Sequence, residues 1–495
     1  MKNNKFISPF QKIIKDVWYY APAKIIPGFL AFLAIIIYTR LLSPEEYGLY
    51  ILAITTIAIV TAVCFEWLNK SILRYFETYK QDQRLPEFIS TVIGSLLGIV
   101  TIVLVFWYFG ITLLHNFLNP SLVILLNIGG LVILTQASYT FILFFRQAAQ
   151  ESSKYAVRSV ISAITKLVIA VFLLYFFSTG PQAILWGMII SAGSIAIWDI
   201  FSFYRKWQIK ISYFSKKLLK DFFRYGMPLM GVSVASFILV AADRYMIQYF
   251  LTTNDVGVYS AGYNLSNELI QFPLVILLLA AYPIIMETFE KKEKETRLLL
   301  NKILAVYFIF LAPIVFGITV LAKNITYILL GSGFQASYII LPWVSMGVFC
   351  FGLTQYFYKP FELKKQTKKL LYIVILADVF NIILNLFLIP KFGIIGAAYA
   401  TLISYFIYLF SVWLLSSQIF NWFFPWYTIA KTIIAAVIMY LMLYFIIVFQ
   451  PVNIVFLIMD ILLGMICYFA ILLFLREKFV LQSFKYFFNY FKTNQ

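Results

Sequence analysis

The sequence has little charge and few of the side chains that soluble enzymes use for catalysis. Only 12% of its 495 residues are charged, and it contains one histidine and three cysteines. A soluble domain carries roughly 25% charged residues, whereas 62% of this chain is hydrophobic. This composition predicts an integral membrane protein. A single membrane anchor on a soluble domain is excluded, because no long polar stretch occurs.

Motifs that define several common functions are also missing. Cys64, Cys350 and Cys467 lie apart in apolar runs, so they predict neither a disulfide framework nor a metal site. No Gly-x-x-x-x-Gly-Lys-[Ser/Thr] phosphate loop occurs, which argues against ATP hydrolysis. No long external loop is predicted that could hold acid and base residues for catalysis on a glycan. We therefore expect a protein that is not an enzyme and has no metal.

Apolar runs separated by polar turns predict an all-α integral membrane protein with about fourteen transmembrane helices. The runs lie at 17–39, 47–68, 87–113, 121–143, 157–178, 182–204, 227–250, 257–285, 300–321, 337–357, 370–389, 393–416, 427–449 and 453–475.

Basic residues predict the orientation of the chain. Lys and Arg number 39 against 21 Asp and Glu, a formal net charge of +18. With both termini cytoplasmic, nearly all the basic residues fall on one side of the membrane, densest at 205–224, 291–302 and 359–369. Because cytoplasmic loops collect Lys and Arg, this charge indicates a multi-pass protein with both termini inside. It does not indicate a nucleic-acid partner.

The two halves of the chain resemble each other in sequence. Leu42-Ser-Pro-Glu-Glu-Tyr-Gly-Leu-Tyr50 matches Leu251-Thr-Thr-Asn-Asp-Val-Gly-Val-Tyr259, so that Gly48 aligns with Gly257 and Tyr50 with Tyr259. We interpret this as a parallel repeat with a pseudo-twofold axis along the membrane normal. The predicted domains are an N-lobe of six helices at 1–204, a cytoplasmic basic linker at 205–226, a C-lobe of six helices at 227–416, and two further helices with an amphipathic tail at 417–495.

Ionisable residues inside predicted spans are candidates for function, because each costs roughly 2.5–3.5 kcal/mol at a helix centre. Lys24, Lys166 and Arg244 are the deep cations, and a few such cations can hold a concentrated negative charge away from hydrocarbon. Asp243, Glu268 and Asp378 are candidates to couple transport to a proton or Na⁺, or to form structural ion pairs with the cations. The sequence leaves both readings open, together with a passive cycle. Four other charges lie near span ends and are expected to be structural, namely Glu66, Asp199, Lys431 and Asp460.

Two prolines are candidate hinges. Pro273 and Pro313 lie inside the eighth and ninth predicted spans, where each removes a backbone hydrogen bond. Static packing is the alternative, since membrane helices tolerate proline.

Three segments carry a resemblance to a known family. Arg40–Tyr50, Asp243-Arg244 followed by Val256–Tyr259, and Gly393–Thr401 resemble bacterial polysaccharide-biosynthesis flippases, the O-antigen and capsule repeat-unit exporters of the multidrug/oligosaccharidyl-lipid/polysaccharide (MOP) superfamily. The resemblance implies a MATE-like fold of two six-helix lobes around a cavity. It also implies alternating access, with transfer of an undecaprenyl-pyrophosphate-linked oligosaccharide across the bacterial cytoplasmic membrane. Given that substrate, Lys24, Lys166 and Arg244 are the candidate cations that bind the pyrophosphate in the cavity.

The expected partners are the lipid-linked oligosaccharide and membrane lipid, with polysaccharide polymerase machinery as a further candidate. An alternative on the same fold is a multidrug or organic-cation antiporter, whose cavity would be rich in carboxylates and aromatic rings. A polytopic polymerase or ligase is a third hypothesis, which the short external loops argue against.

Overall fold

The computed structural model describes residues 9–206, 210–291, 293–364, 367–420, 422 and 424–482, and the regular structure within these ranges is helical. The α-helices are α1 (Pro9–Leu41), α2 (Pro44–Gln81), α3 (Leu85–Leu114), α4 (Pro120–Ala148), α5 (Ser152–Phe177), α6 (Gln182–Lys206), α7 (Lys216–Phe250), α8 (Thr253–Lys291), α9 (Glu293–Leu329), α10 (Leu341–Phe357), α11 (Lys359–Leu363), α12 (Thr367–Phe392), α13 (Ile394–Ser417), α14 (Trp426–Ile447) and α15 (Ile454–Phe474). Two 3-10 helices lie at Ile211–Tyr213 and Ser332–Ile339.

The predicted all-α membrane fold is confirmed. Twelve helices in the described ranges are long and apolar enough to cross a membrane. A thirteenth span forms if Ser332–Ile339 and Leu341–Phe361, which meet at a bend of 63°, count together. The helix α8, 39 residues long, occupies the position of the eighth predicted span. The sequence-based count of about fourteen is therefore roughly consistent with the structure.

The chain packs as two compact units. The first comprises Met1–Ser260 with Thr367–Pro390, and the second comprises Ala261–Gln366 with Lys391–Gln495. The core of the first unit is rich in aromatic rings, with Phe76 in edge contact with both Phe88 and Phe145. The two units are defined by which residues pack together, whereas the predicted lobes at 1–204 and 227–416 are defined by a sequence repeat. The division into those lobes stays a prediction.

The same capping arrangement begins α2 and α8. The Ser43 hydroxyl accepts a hydrogen bond from the Glu46 amide at 3.3 Å, and the Glu46 carboxylate accepts one from the Ser43 amide at 2.8 Å. Thr252 and Asp255 repeat this exchange, with both distances 3.2 Å. Such a capping box satisfies amide groups that the first helical turn leaves without partners. The two copies of the sequence repeat thus begin these helices in the same way.

The helix α7 begins inside the segment predicted as a linker. Ser215 caps it by accepting a hydrogen bond from the Leu218 amide at 3.4 Å. Leu218 and Phe222 are buried in the same apolar core as residues of α2 and α3. They are four residues apart and so share one helix face, while the charged Lys220 and Asp221 between them lie off that face. The second half of the predicted linker is therefore part of α7. Most of the predicted amphipathic tail lies outside the described residues, which end at 482.

Candidate functional site

A buried polar cluster joins α7, α8 and α12 in the first unit. Asp243 is only 1% exposed. One of its carboxylate oxygens accepts a hydrogen bond from the Tyr259 hydroxyl at 2.6 Å, and the other accepts one from the Asn385 amide nitrogen at 2.7 Å. Because both oxygens are engaged by partners on other helices, this carboxylate ties three helices together.

A row of polar side chains on α12 extends the cluster. Asp378, Asn381 and Asn385 are spaced three and four residues apart, which places them on one helix face. All three are buried, and Asn385 also donates to the Asn381 side-chain oxygen at 3.0 Å. Within the described part of the chain, Asp378 Oδ1 and Asn385 Oδ1 are buried without a hydrogen-bond donor. A buried oxygen lacking a donor is costly, and a proton or a small cation would satisfy it.

The predicted cations have different surroundings. Arg244 is buried and donates from Nη1 to the Val240 carbonyl of its own helix at 2.8 Å. Lys24 has an exposed side chain on α1, and Lys166 is half-buried on α5. The carboxylate of Glu268 is half-buried on α8, in the second unit. Among the residues singled out from the sequence, Asp243 and Tyr259 are joined by a direct hydrogen bond.

The repeated Gly-x-Tyr motif brings α2 and α8 into close contact. A Cβ atom on Gly48 would lie 2.1 Å from the Thr253 carbonyl oxygen, and one on Gly257 would lie 1.8 Å from the Pro44 carbonyl oxygen. Each glycine therefore receives the carbonyl that precedes the other glycine by four residues. This reciprocity is what a twofold-related pair of helices produces. The Tyr50 ring packs against Tyr38 and Tyr47, and the Tyr259 hydroxyl binds Asp243.

A second group of charges joins α4, α5 and α6. Asp199 is fully buried, and Arg158 donates to both of its oxygens, at 3.0 and 2.8 Å. Arg146 donates to Asp199 at 3.1 Å and also pairs with Glu151. Two guanidinium groups thus face two carboxylates, and Asp199 has the surroundings of a structural ion pair.

An apolar cavity of about 420 Å³ lies in the second unit, between α9, α14 and α15. Pro313 and Gly317 of α9 are among its lining residues, and Asp460 of α15 is the one acidic residue among the described residues of the lining. The apolar lining residues include Ile309, Phe310, Ile314, Ile318, Leu321, Met439, Leu443, Ile461 and Met465. Both candidate hinge prolines lie within uninterrupted helices, Pro273 in α8 and Pro313 in α9. Their role as hinges stays a prediction.

Sequence reasoning missed Asn381 and Asn385, because it searched the spans only for ionisable residues. The signal was nevertheless present: amides three and seven residues after Asp378, in an otherwise apolar run, share its helix face. The partners of Asp199 were also missed, since Arg146 and Arg158 lie at helix ends where basic residues ordinarily mark topology.

Solved structures share this fold. The structure resembles the lipid II flippase MurJ in its inward closed conformation, with a TM-score of 0.75 and 18% identity, covering 93% of this chain and 99% of that one. It also resembles an inward-facing multidrug resistance MATE family transporter of the MOP superfamily, with a TM-score of 0.61 and 15% identity, covering 81% and 97% of the two chains. The fold of this multi-pass membrane protein is therefore the fold of these two solved structures.

Residues 13–289 match the family described as polysaccharide biosynthesis protein, and the chain belongs to that family. One relative is an uncharacterized membrane protein of Methanocaldococcus jannaschii, 23% identical over 82% of this chain and 84% of its own length. Another is the succinoglycan biosynthesis transport protein ExoT of Rhizobium meliloti, 25% identical over 63% of this chain and 61% of its own length.

Proposed function

We propose that this protein is a flippase that moves an undecaprenyl-pyrophosphate-linked oligosaccharide repeat unit across the cytoplasmic membrane by alternating access, for surface polysaccharide biosynthesis. Family membership supports the link to polysaccharides. The names of two similar proteins, a lipid II flippase and a succinoglycan biosynthesis transport protein, support transport of a lipid-linked glycan. The chain would itself catalyse no reaction.

The apolar cavity between α9, α14 and α15 is the structural observation that most supports this proposal. A flippase must move a sugar headgroup through a polar path while the polyprenyl chain stays among apolar groups, since a polar environment costs about 0.8 kcal/mol for each exposed CH₂. The cavity offers such a place, with side chains of Ile, Leu, Phe and Met along three helices. Asp460 at its lining would repel a phosphate, which assigns the lipid chain rather than the headgroup to this cavity.

Arg244 is the first candidate to bind the pyrophosphate, with Lys24 and Lys166 as the others. Arginine presents several donors in a plane that matches phosphate oxygens. Since the Arg244 side chain is buried inside the protein, its charge is held away from lipid.

The buried oxygens of α7 and α12 are the candidate coupling site. Asp243, Asn381 and Asn385 supply carboxylate and amide oxygens, which are suitable ligands for a hard cation such as Na⁺. Asp378, with one buried oxygen lacking a donor, is the candidate to bind a proton instead. In either case occupancy would change the charge of the cluster that ties α7 to α12.

A multidrug or organic-cation antiporter is the alternative function. The buried carboxylates of Asp243 and Asp378 favour it, because a cationic ligand requires negative charge. The apolar cavity and the family membership favour the flippase.

The proposal is tested by measuring export of surface polysaccharide in a strain that lacks this gene. The strain is complemented with wild type, Arg244→Ala, Arg244→Lys or Lys80→Ala, with expression matched. We expect the empty strain to accumulate unpolymerised lipid-linked repeat units on the cytoplasmic side. Arg244→Ala should fail to restore export, and Arg244→Lys should restore it in part because the charge remains. Lys80 is the control, since it is half exposed and paired with Glu77 at 3.2 Å.

If deletion leaves glycan export unchanged and lowers the efflux of cationic dyes, the flippase proposal is wrong and the antiporter replaces it. If Arg244→Ala complements fully, Arg244 does not bind the pyrophosphate.

A further inference from the structure

The contact between α2 and α8 is made by backbone atoms alone at its tightest points. The Pro44 carbonyl faces Gly257 and the Thr253 carbonyl faces Gly48. A carbonyl this close to a glycine Cα forms a weak C–H···O contact, which recurs where helices approach closely. Since Pro44 and Gly48 belong to the first half of the repeat and Thr253 and Gly257 to the second, this contact joins the two halves.

A second contact of the same type lies further along α2. A Cβ atom on Gly226 of α7 would lie 2.1 Å from the Trp67 carbonyl oxygen and 2.8 Å from the Trp67 Cα. One turn away, the Ser71 hydroxyl donates to the Phe222 carbonyl at 2.9 Å. Here too a helix of the first half meets a helix of the second half, and at Gly226 the approach is to the Trp67 backbone.

The two contacts are separated by the thickness of a membrane. Gly48 and Trp67 are nineteen residues apart on α2, which corresponds to about 28 Å at the rise of an α-helix. The hydrocarbon core of a bilayer is about 30 Å thick. The helix α2 therefore contacts α8 near one membrane face and α7 near the other.

We propose that these glycine contacts are the two closures of the transport cycle: Gly48 with Gly257 closes one membrane face, and Gly226 on Trp67 closes the other. The inference rests on the proposed alternating access. At its tightest point each closure is backbone against backbone, so separation there requires no side chain to change rotamer. The second closure also includes ring contacts of Trp67 with Phe223 and of Tyr75 with Phe222, which must part when that face opens. The solved MATE transporters of this fold include both inward-facing and outward-facing conformations, which such closures would distinguish.

A methyl group at either contact opposes that closure alone. Ordinary contact requires about 3.4 Å, so a Cβ at 1.8 or 2.1 Å from a backbone oxygen forces the helices apart by roughly 1 Å or more. Gly257→Ala should therefore hold open the α2–α8 face, and Gly226→Ala should hold open the α2–α7 face. The same Gly→Ala substitution at the two sites should therefore open opposite faces of the protein.

Electron–electron distance measurements on reconstituted protein test this inference. The background carries Ser in place of Cys64, Cys350 and Cys467. One pair of spin labels is placed at Glu45 and Asn254, which are exposed and occupy matching positions of the repeat. The other pair is placed at Arg74 and Arg224, which are exposed beside the second contact. Gly98→Ala is the control, because in the described part of the chain a Cβ on Gly98 meets no atom within 4 Å.

We expect Gly257→Ala to lengthen the distance between residues 45 and 254 and to leave the other pair short. Gly226→Ala should do the reverse, and Gly98→Ala should change neither. Gly48→Ala is a second, independent substitution at the first face and should reproduce the effect of Gly257→Ala.

Unchanged distances in folded Gly257→Ala and Gly226→Ala protein would overturn the inference. So would loss of folded protein in all three contact variants, because the contacts would then be required for assembly of the fold. If the glycine variants shift the distances as expected but deletion of the gene leaves glycan export intact, the proposed function is wrong and the closures stand. If the glycine variants show unchanged distances and the deletion strain accumulates lipid-linked units, the closures are wrong and the proposed function stands.

Discussion

At the scale of single residues, the carboxylate of Asp199 holds two arginines inside the first unit. We expect Asp199→Asn to lower the free energy of unfolding by about 3–5 kcal/mol, because removing one partner leaves buried charge uncompensated. Thermal unfolding of the purified protein in detergent measures this loss. Glu77→Gln is the matched control: its pair with Lys80 is about half exposed, and such pairs contribute at most about 1 kcal/mol. Equal effects of the two substitutions would contradict the structural role.

Glu151, which lies between α4 and α5, gives the same group a pH dependence. Burial raises its pKa, but hydrogen bonds from Lys154 and Arg146 outweigh that effect and hold the pKa below its usual value of 4.5. Since the folded-state pKa is the lower one, the stabilisation is complete at neutral pH and is lost as the pH falls through the folded-state pKa.

The measurement compares unfolding temperatures of wild type and Glu151→Gln. Wild type should be the more stable at pH 7, and the gap should shrink as the pH falls below about 4.5. A gap that stays constant down to acidic pH would show that the charge of Glu151 contributes nothing.

The type of residue was enough to predict Asp243 as part of the site, but not to predict its hydrogen-bond partners. Asp243 could be singled out because a carboxylate inside an apolar run is costly. Its partners Tyr259 and Asn385 come from helices 16 and 142 residues away, and no periodicity in one sequence reports which helices meet. The motif tyrosine Tyr259 was noticed as a repeat match, and only the structure shows that its hydroxyl binds Asp243.

At the scale of helices, the cavity of α9, α14 and α15 can be filled without disturbing its walls. A Cβ on Gly317 meets no atom of the described residues within 4 Å, and Gly317 lines the cavity. We expect Gly317→Leu to reduce glycan export strongly while the protein remains folded, because the new side chain occupies the space proposed for the lipid chain. Gly317→Ala should export normally, since one methyl group occupies little of about 420 Å³. The complementation assay with a size-exclusion check measures both. Full export by folded Gly317→Leu would exclude this cavity as the lipid path.

Helix positions followed from hydropathy, whereas helix ends did not. The apolar run at 47–68 marks α2, but the helix continues to Gln81, because Phe76 is buried in the core. In the same way α7 starts at Lys216, whereas the predicted span begins at residue 227. Hydropathy reports the part of a helix within lipid, and these extensions are stabilised by contacts with protein. The bend at Ser332–Ile339 also has no hydropathy signal.

At the scale of the whole molecule, the distribution of Lys and Arg predicts which loops face the cytoplasm. In intact cells, an impermeant maleimide should label Asn116→Cys, in the loop after α3. It should label Asp82→Cys, in the loop after α2, only after permeabilisation. Both positions are exposed, and the background lacks the three native cysteines. Labelling of residue 82 in intact cells would invert the predicted topology.

The contact between Gly48 and Gly257 has a consequence for evolution. Its partners are carbonyl groups, which every residue at positions 44 and 253 supplies, so no substitution at those positions can compensate for a lost glycine. Two side chains in contact leave correlated changes among homologues, whereas this contact should leave two invariant glycines and no correlation. Methods that infer helix pairs from covariation would therefore miss this contact between α2 and α8.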